Sequence, residues 1–245
     1  MMNYKIVVRY DGSRYKGWQR LKDEDMTIQG KLEDVLSKRF EKKIDLIGSG
    51  RTDKGVHSQG QVANFHAPEY VEESELLDYL NTYLPEDILV ASLSIEEERF
   101  HARYNAKGKV YNYNIFNGKF VDPFERKYVT VVAENLNIKR MQKAGDYFIG
   151  QHDFSGFTTS KSKKKSHVRT INSLKINKKG DTISISIDGN GFLHNMVRII
   201  VGTLIRVGKN ELDPEMIPKM IVAMDRSVTG PIADAKGLFL SRVYY

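Results

Sequence analysis

The chain has no cysteine among its 245 residues. This absence excludes disulfide bonds, zinc sites with thiolate ligands, iron–sulfur clusters and thiol nucleophiles. The six histidines also lack a metal-ligand spacing such as H-E-x-x-H. No stretch reaches the roughly 20 consecutive apolar residues that span a bilayer, and the amino terminus resembles neither a secretion signal nor a transit peptide. We therefore expect a cytoplasmic protein that does not contact a membrane.

Acidic residues are outnumbered, since 31 Asp and Glu stand against 38 Lys and Arg and leave a net charge of +7. Excess positive charge favours a polyanionic partner through long-range attraction and counterion release. Solubility alone is the alternative explanation. Hydrophobic residues make up 40% of the chain, which is enough to bury the core of one large domain or two small ones.

The first half of the chain predicts the element order β-α-β-β-α-β. Ile28, Leu32 and Leu36 fall on one helical stripe that Thr27 can cap. A second helix is marked by leucines and stopped by Pro85. The predicted strands of this half are KIVVRY, KIDLIG, QVANF and ILVASLSI.

The second half repeats that order and adds one helix. VYNYNIF begins it, a helix follows from about Ile138, and VRTINSLKI turns back through NKKGD into TISISI. A strong helical stripe then runs from Leu193 to Val207, a further helix covers about Pro214 to Met224, and GLFLSRVYY closes the chain as a strand.

This pattern predicts an α+β fold of two ferredoxin-like halves, residues 1–103 and 104–245. We expect the halves to be fused into a continuous, mostly antiparallel sheet, with helices on one face and a groove across the other. Two independent domains on a linker are the alternative, but the connecting stretch is short and not rich in Pro or Ser.

The stretch GSGRTDKGVHSQGQVANF, residues 48–65, places one acid, Asp53, between Arg51 and Lys54. It is not a P-loop, because Val56 and His57 stand where Lys and Ser or Thr are needed, and it lacks the third glycine of a dinucleotide fingerprint. Glycines let the backbone turn tightly and bring a carboxylate to a ligand. An acid flanked by cations stays ionised, as a nucleophile or base must. An Asx turn is the alternative reading.

The same stretch resembles the catalytic motif of the TruA family of tRNA pseudouridine synthases, G-R-T-D-x-G-V-H followed by G-Q-V. Further islands resemble other signatures of that family, come in the family order and span nearly the whole chain. They are YDGSRYKGWQR (Tyr10 to Arg20), FHAR (Phe100 to Arg103), KVYNY, GQHDFSGF and FLHNMVRIIVG (Phe192 to Gly202).

The resemblance implies two ferredoxin-like halves with a basic RNA-binding cleft, working as a homodimer without cofactor or metal. It implies isomerisation of uridine to pseudouridine in the anticodon stem-loop of tRNA, at the family positions 38, 39 and 40. The first half would carry the catalytic G-R-T-D motif, and the second half would carry the tyrosine, arginine and leucine of the active site.

The resemblance also assigns roles to single residues. Asp53 matches the essential aspartate, Tyr111 the substrate-contacting tyrosine, and Arg198 the arginine that pairs with the catalytic carboxylate. Arg51 matches a residue implicated in base flipping, although a plain phosphate contact is almost as good a reading. Leu238 matches an apolar residue that lines the base pocket.

Basic residues outside these motif positions are candidate contacts to the RNA backbone, and a solvated surface is the alternative for each. They are Arg14, Lys16, Arg20, Lys54, Arg103, Lys161, Lys163, Lys164, Lys165 and Arg169. Lys54 stands where the family usually has alanine, and the lysine-rich run also departs from the family sequence. These departures leave two alternatives open: a divergent paralogue that modifies other uridines, or a non-catalytic RNA-binding protein of the same fold.

Overall fold

A computed structural model describes residues 1–160 and 166–245, and the chain forms two compact units. Unit 1 contains Met1–Lys107 and Phe239–Tyr245, and unit 2 contains Gly108–Leu238. The sequence placed the division after residue 103 and the last strand in the second half. The contacts instead group that strand with unit 1, because its first residues pair in parallel with a strand there.

Unit 1 shows the predicted order β-α-β-β-α-β. β1 pairs antiparallel with both β3 and β4, β2 pairs antiparallel with β3, and the last strand, β10, pairs parallel with β3. The elements are β1 (Met2–Tyr10), α1 (Ile28–Arg39), β2 (Ile47–Gly48), β3 (His57–Ala67), α2 (Glu73–Tyr83), β4 (Ile88–Glu96) and β10 (Leu238–Tyr244).

The core of unit 1 follows from its periodicities. Tyr4, Ile6 and Val8 alternate along β1 and are buried, as are the stripe residues of α1. Thr27 caps α1 as predicted, because its side chain accepts a hydrogen bond from the Gly30 amide at 3.2 Å.

Unit 2 is an antiparallel sheet in the order β5-β9-β8-β7, with β6 parallel to β5. Its elements are β5 (Gly108–Phe116), β6 (Thr130–Val131), α3 (Ile138–Asp146), β7 (Gly150–Asp153), β8 (Val168–Lys179), β9 (Thr182–Gly189), α4 (Met196–Gly208) and α5 (Met216–Ala223). Both units are therefore α+β with mostly antiparallel strands, which confirms the predicted class.

Helix α3 of unit 2 packs on the apolar face of its sheet. Gly145 of α3 sits against Leu174, which is paired with Ile187 of β9, and Ile187 is paired with Tyr111 of β5. Residues paired across antiparallel strands share a face. Tyr111 thus lies on the sheet face that carries α3. No helix of the described residues is long and apolar enough to cross a membrane.

Candidate active site

Asp53 lies in the loop between β2 and β3. It is half-buried, whereas its neighbours Arg51 and Lys54 are exposed. Its carbonyl accepts a hydrogen bond from the Val56 amide at 3.1 Å, which closes a tight turn around the acid. The turn therefore presents one carboxylate between two solvent-facing cations, as the sequence predicted.

A second loop, residues 11–18, holds this turn through the backbone. The Trp18 amide donates to the Thr52 carbonyl at 3.1 Å, and the Gly55 amide donates to the Tyr15 carbonyl at 3.3 Å. These two bonds reach the residues on either side of Asp53. The YDGSRYKGWQR and GRTDKGVH motifs are therefore two halves of one structural feature, which we call the loop clamp (residues 11–18 and 52–56).

Two glycines make this close approach possible. A Cβ at Gly12 would lie 2.0 Å from the Val56 carbonyl oxygen. Gly17 has a φ of +111° and would place a Cβ 2.7 Å from the Thr52 carbonyl oxygen. Any larger residue would have to push the loops apart, because the atoms that it would meet belong to the backbone. Both glycines belong to the motif YDGSRYKGWQR, but the sequence alone did not predict that they contact the loop of Asp53.

Buried polar side chains hold the backbone of the loop clamp in place. The hydroxyl groups of Tyr10 and Thr52 lie 2.8 Å apart, and burial raises the pKa of Tyr10 well above its usual range. Gln61 accepts from the Ser49 hydroxyl at 2.7 Å and donates to the Gly50 carbonyl at 3.1 Å. Each buried donor or acceptor that finds a partner here fixes the backbone that leads to Asp53.

His57 braces the same region. Its Nδ1 lies 3.1 Å from the Gly12 amide, and its ring stacks on Phe239 at 4.7 Å between centroids. Asp11 Oδ1 also approaches Nδ1, at 3.2 Å. Nδ1 thus faces a backbone donor on one side and a carboxylate on the other, and both belong to the loop clamp. This bonding favours a structural role for His57.

Tyr111 of unit 2 is buried, and its ring meets the ring of Phe192 edge-on at 5.1 Å. It shares its strand face with Tyr113 and Ile115, as predicted. Phe192 comes from FLHNMVRIIVG, so the structure joins two of the motifs that carry the family resemblance. Leu238, the first residue of β10, is also buried.

Arg198 sits in the first turn of α4 and is held by side-chain bonds. Its Nε donates to the Ala233 carbonyl at 2.7 Å, and one terminal nitrogen donates to Asn195 Oδ1 at 2.9 Å. Asn195 has a left-handed φ of +60° and donates in turn to the Thr159 hydroxyl at 2.9 Å. Because a residue with positive φ cannot continue a helix, α4 begins at Met196 rather than near Leu193. No local sequence pattern indicated the role of Asn195.

The basic residues of the first loop face acids of their own unit. Arg14 lies 2.6 Å from Asp87, and Arg20 lies 3.2 Å from Glu33 and also contacts Asp34. Lys16 is 4.0 Å from Glu24. Exposed ion pairs of this kind are weak, and the role of these cations as RNA contacts stays a prediction.

The remaining predicted cations differ in their surroundings. Arg103, like Lys54, is exposed. Arg169 donates to the Ser166 carbonyl at 3.0 Å, and burial lowers the pKa of its guanidinium. The run Lys161, Lys163, Lys164 and Lys165 lies outside the described residues. Among the residues that are described, no group of three or more His, Asp or Glu side chains could hold a metal ion.

Comparison with known proteins gives one consistent result. The family model described as tRNA pseudouridine synthase matches residues 6–105 and 144–245. A protein of Bacillus cereus (strain ZK / E33L), named tRNA pseudouridine synthase A 2, is 48% identical over the full length of both chains. A protein of Bacillus sp. (strain KSM-64), named tRNA pseudouridine synthase A, is 49% identical over the same extent.

A further relative comes from Clostridium tetani (strain Massachusetts / E88), where tRNA pseudouridine synthase A 1 is 47% identical over the full length of both chains. One solved structure, a chain in the crystal structure of a Cbf5-Nop10-Gar1 complex, is similar at 12% identity and a TM-score of 0.35. It covers 97% of this chain and 47% of that one, and a score this low says nothing of the fold.

The α+β units, the clamped acidic loop and the family match together define an RNA-modifying isomerase of the pseudouridine synthase class. Within that class, the chain belongs to the tRNA pseudouridine synthase family. It is an enzyme that isomerises uridine to pseudouridine in tRNA. The alternative of a non-catalytic RNA-binding protein is set aside by this membership.

Proposed function

We propose that the enzyme modifies uridines 38, 39 and 40 of the tRNA anticodon stem-loop, with Asp53 as its catalytic carboxylate. The loop clamp carries this proposal. Backbone bonds to Thr52 and Gly55 fix the chain on both sides of Asp53, and such fixation is what a reacting group needs to hold one geometry.

The reaction breaks the bond between ribose C1′ and uracil N1, rotates the base, and joins C1′ to C5. The hydrogen on C5 leaves as a proton and N1 gains a proton in place of its bond to C1′, so the formula is unchanged and no electrons enter or leave. A carboxylate can serve as the nucleophile that holds a fragment during rotation, or as a base that removes a proton. Asp53 would take one of these two roles.

We propose that Tyr111 contacts the uracil, that Arg198 keeps the carboxylate ionised and oriented, and that Leu238 lines the base pocket. The buried ring of Tyr111 and the two bonds that orient Arg198 support these roles, because both side chains are preorganised. Arg51, exposed beside Asp53, would help to extrude the uridine or bind its phosphate.

Backbone contacts are proposed for the predicted cations, foremost the exposed Lys54 and Arg103. A homodimer and a cytoplasmic location complete the proposal, and light scattering at micromolar concentration tests the first. A mass of one chain at all concentrations would overturn the dimer.

A divergent paralogue that modifies other uridines is the second candidate. Lys54 favours it, because an exposed cation directly follows Asp53 where the family usually has alanine. Such a charge can change which phosphates bind next to the reacting nucleotide.

One set of substrates separates the two candidates. tRNA transcripts would carry uridine at only one of positions 38, 39 and 40, with a transcript lacking all three as the control. We expect pseudouridine at each of the three positions, mapped by chemical sequencing. Pseudouridine elsewhere in all four transcripts, with none at positions 38, 39 or 40, would overturn the proposed positions and leave the paralogue. Lys54→Ala on the same substrates tests whether that lysine sets the choice.

A further inference from the structure

The turn between β4 and β5 carries a surface that the reaction does not use. We propose that Tyr104, backed by His101, is a stacking platform for an unpaired base of the bound tRNA, away from the reacting uridine. The neighbouring cations Arg99, Arg103 and Lys107 would bind the adjoining phosphates.

The side chain of Tyr104 is exposed to solvent and is not packed in the core. It is 80% exposed, and its ring stacks on the ring of His101 with 4.1 Å between centroids and 28° between planes. An aromatic ring with one face covered and the other open can stack on any base. Tyrosine loses few rotatable bonds when it binds, which lowers the entropic cost of the contact.

The backing ring is fixed by the turn itself. His101 Nδ1 accepts hydrogen bonds from the Arg103 and Tyr104 amides at 3.2 and 3.3 Å. Asn105 closes the turn on both sides, because its side chain accepts from the His101 amide at 2.7 Å and its amide donates to the His101 carbonyl at 3.0 Å. The platform is therefore built before RNA arrives.

The turn is also anchored to the core of unit 1. The Ala102 amide donates to Asn64 Oδ1 at 2.8 Å, and the Ala102 carbonyl accepts from the Tyr245 hydroxyl at 2.7 Å. Asn3 donates to the Phe100 carbonyl at 2.9 Å. A surface side chain on so well-bonded a backbone does not have to be ordered by its ligand.

The charge of this segment suits a polyanion. The turn contains the exposed cations Arg99, Arg103 and Lys107, and its exposed acids Glu97 and Glu98 lie at its start, next to β4. Cations interleaved with an exposed aromatic are typical of surfaces that bind single-stranded RNA. No acid lies within five residues of Tyr104, whereas in the equally exposed loop around Phe120 and Phe124 Asp122 lies between the two rings and Glu125 directly follows the second.

The position along β10 sets the platform apart from the reacting uridine. Phe239 pairs with His57 next to the loop clamp, whereas the Lys107 amide donates to the Tyr244 carbonyl at 2.9 Å. Five residues of strand separate these points, which is about 17 Å. That distance is several times the spacing of stacked bases, about 3.4 Å, so the platform serves a different nucleotide.

The test compares two exposed tyrosines of unit 1. Tyr104→Ala removes the platform, Tyr104→Phe keeps the ring, and Tyr83→Ala removes a ring that is 62% exposed and packed on Tyr79 at 4.6 Å. Kd for full-length tRNA by filter binding, KM and kcat by tritium release, and the melting temperature are measured for each variant.

We expect Tyr104→Ala to raise Kd and KM by about 5-fold to 100-fold, the range for loss of one stacked base, with kcat held within about twofold. Tyr104→Phe and Tyr83→Ala should bind within about twofold of the wild type. Arg103→Gln should reduce the slope of log Kd against log salt by about 1.

Two results would overturn the platform. Unchanged Kd and KM in Tyr104→Ala would show that no base stacks there, and an equal loss in Tyr83→Ala would show a nonspecific effect. If Tyr104→Ala altered the mass in solution while Kd per protomer stayed the same, the turn would instead contact a second copy of the chain.

Discussion

Asp53 in unit 1 and Arg198 in unit 2 are held in different ways. The loop that carries Asp53 is positioned by backbone hydrogen bonds and by glycines that allow two loops to touch. Arg198 stands on a helix and is oriented by bonds from its own side chain to Ala233 and Asn195. The position of Asp53 is thus set by the backbone of its loop, and the orientation of Arg198 is set by the acceptors that its guanidinium binds.

This difference has a practical consequence for mutagenesis. A backbone clamp tolerates changes of exposed side chains such as Lys54, but it fails when a glycine gains a Cβ. A side chain held by its own hydrogen bonds, such as Arg198, loses its orientation when a single acceptor is removed. Gly12→Ala, Asn195→Gly and Tyr15→Phe, in order of decreasing expected effect, test this difference between the two kinds of support.

Gly12→Ala should have the largest effect. Its Cβ would lie 2.0 Å from the Val56 carbonyl oxygen, so the loops must separate and Asp53 must move. We expect kcat to fall about 10-fold to 100-fold and the free energy of unfolding to fall by about 1–3 kcal/mol. Tritium release and urea unfolding measure the two quantities.

Gly180→Asn is the control for that variant, because a Cβ at Gly180 meets nothing within 4 Å and its φ of +58° suits asparagine. Activity of Gly12→Ala equal to that of the control would show that the contact between the loops does not position Asp53.

Asn195→Gly should have the next largest effect. Glycine keeps the left-handed backbone, with its φ of +60°, but removes the acceptor for Arg198. Arg198 loses one of the two bonds that orient it, so we expect kcat to fall about 10-fold. A hydrogen bond to a charged group contributes about 1.5–3 kcal/mol to stability, so the melting temperature should fall as well. Asn195→Asp keeps the acceptor oxygen and should stay within a few-fold of wild type. Equal activity of the two variants would show that the bond from Arg198 to Asn195 does not contribute to catalysis.

Tyr15→Phe should have the smallest effect, and its size should depend on pH. Burial, with help from the carboxylate of Asp87 that accepts from the Tyr15 hydroxyl at 2.5 Å, raises the pKa of Tyr15 to about 12. Folding therefore favours the neutral phenol over its ionised form. This stabilisation is complete below the unfolded pKa of about 10 and is lost as pH rises through 12.

The measurement for Tyr15 is urea unfolding of wild type and Tyr15→Phe at pH 8 and pH 11. The wild type should be more stable by about 1 kcal/mol at pH 8, and the gap should narrow at pH 11. A gap that widens with pH would contradict the assigned direction. The backbone bond from Gly55 to the Tyr15 carbonyl survives the substitution, so activity at pH 8 should change little.

Elements with long regular patterns were predictable from the sequence. The stripe and cap of α1 and the alternating isoleucines of β9 needed only local periodicity, and both are confirmed. KIDLIG was predicted as a full strand, yet only Ile47–Gly48 pairs with a neighbouring strand. Ile44 and Leu46 are buried outside the sheet, so their apolar character reflects burial and not strand pairing. β6 and β7 were missed because two and four residues are too short to show alternation.

The supports of the candidate site were not predictable from local pattern. Gly12 touches Val56 and Trp18 bonds to Thr52 across more than thirty residues of chain. Asn195 acts through a backbone conformation that no periodicity reveals. The identity of Asp53, Tyr111 and Arg198 as candidates came from motif resemblance, and their catalytic roles stay predictions.

Asp53→Asn, which keeps the size of the side chain and removes its charge, tests the central claim most directly. Tritium release from uridine-5-tritiated tRNA reports each turnover, since C5 loses its hydrogen. Asp45→Asn, at an exposed ion pair with Lys43, is the matched control. We predict that Asp53→Asn lowers the rate at least about 10⁴-fold while tRNA binding and melting temperature match the control. Tritium release at the wild-type rate by Asp53→Asn would contradict the assignment of this carboxylate as the catalyst.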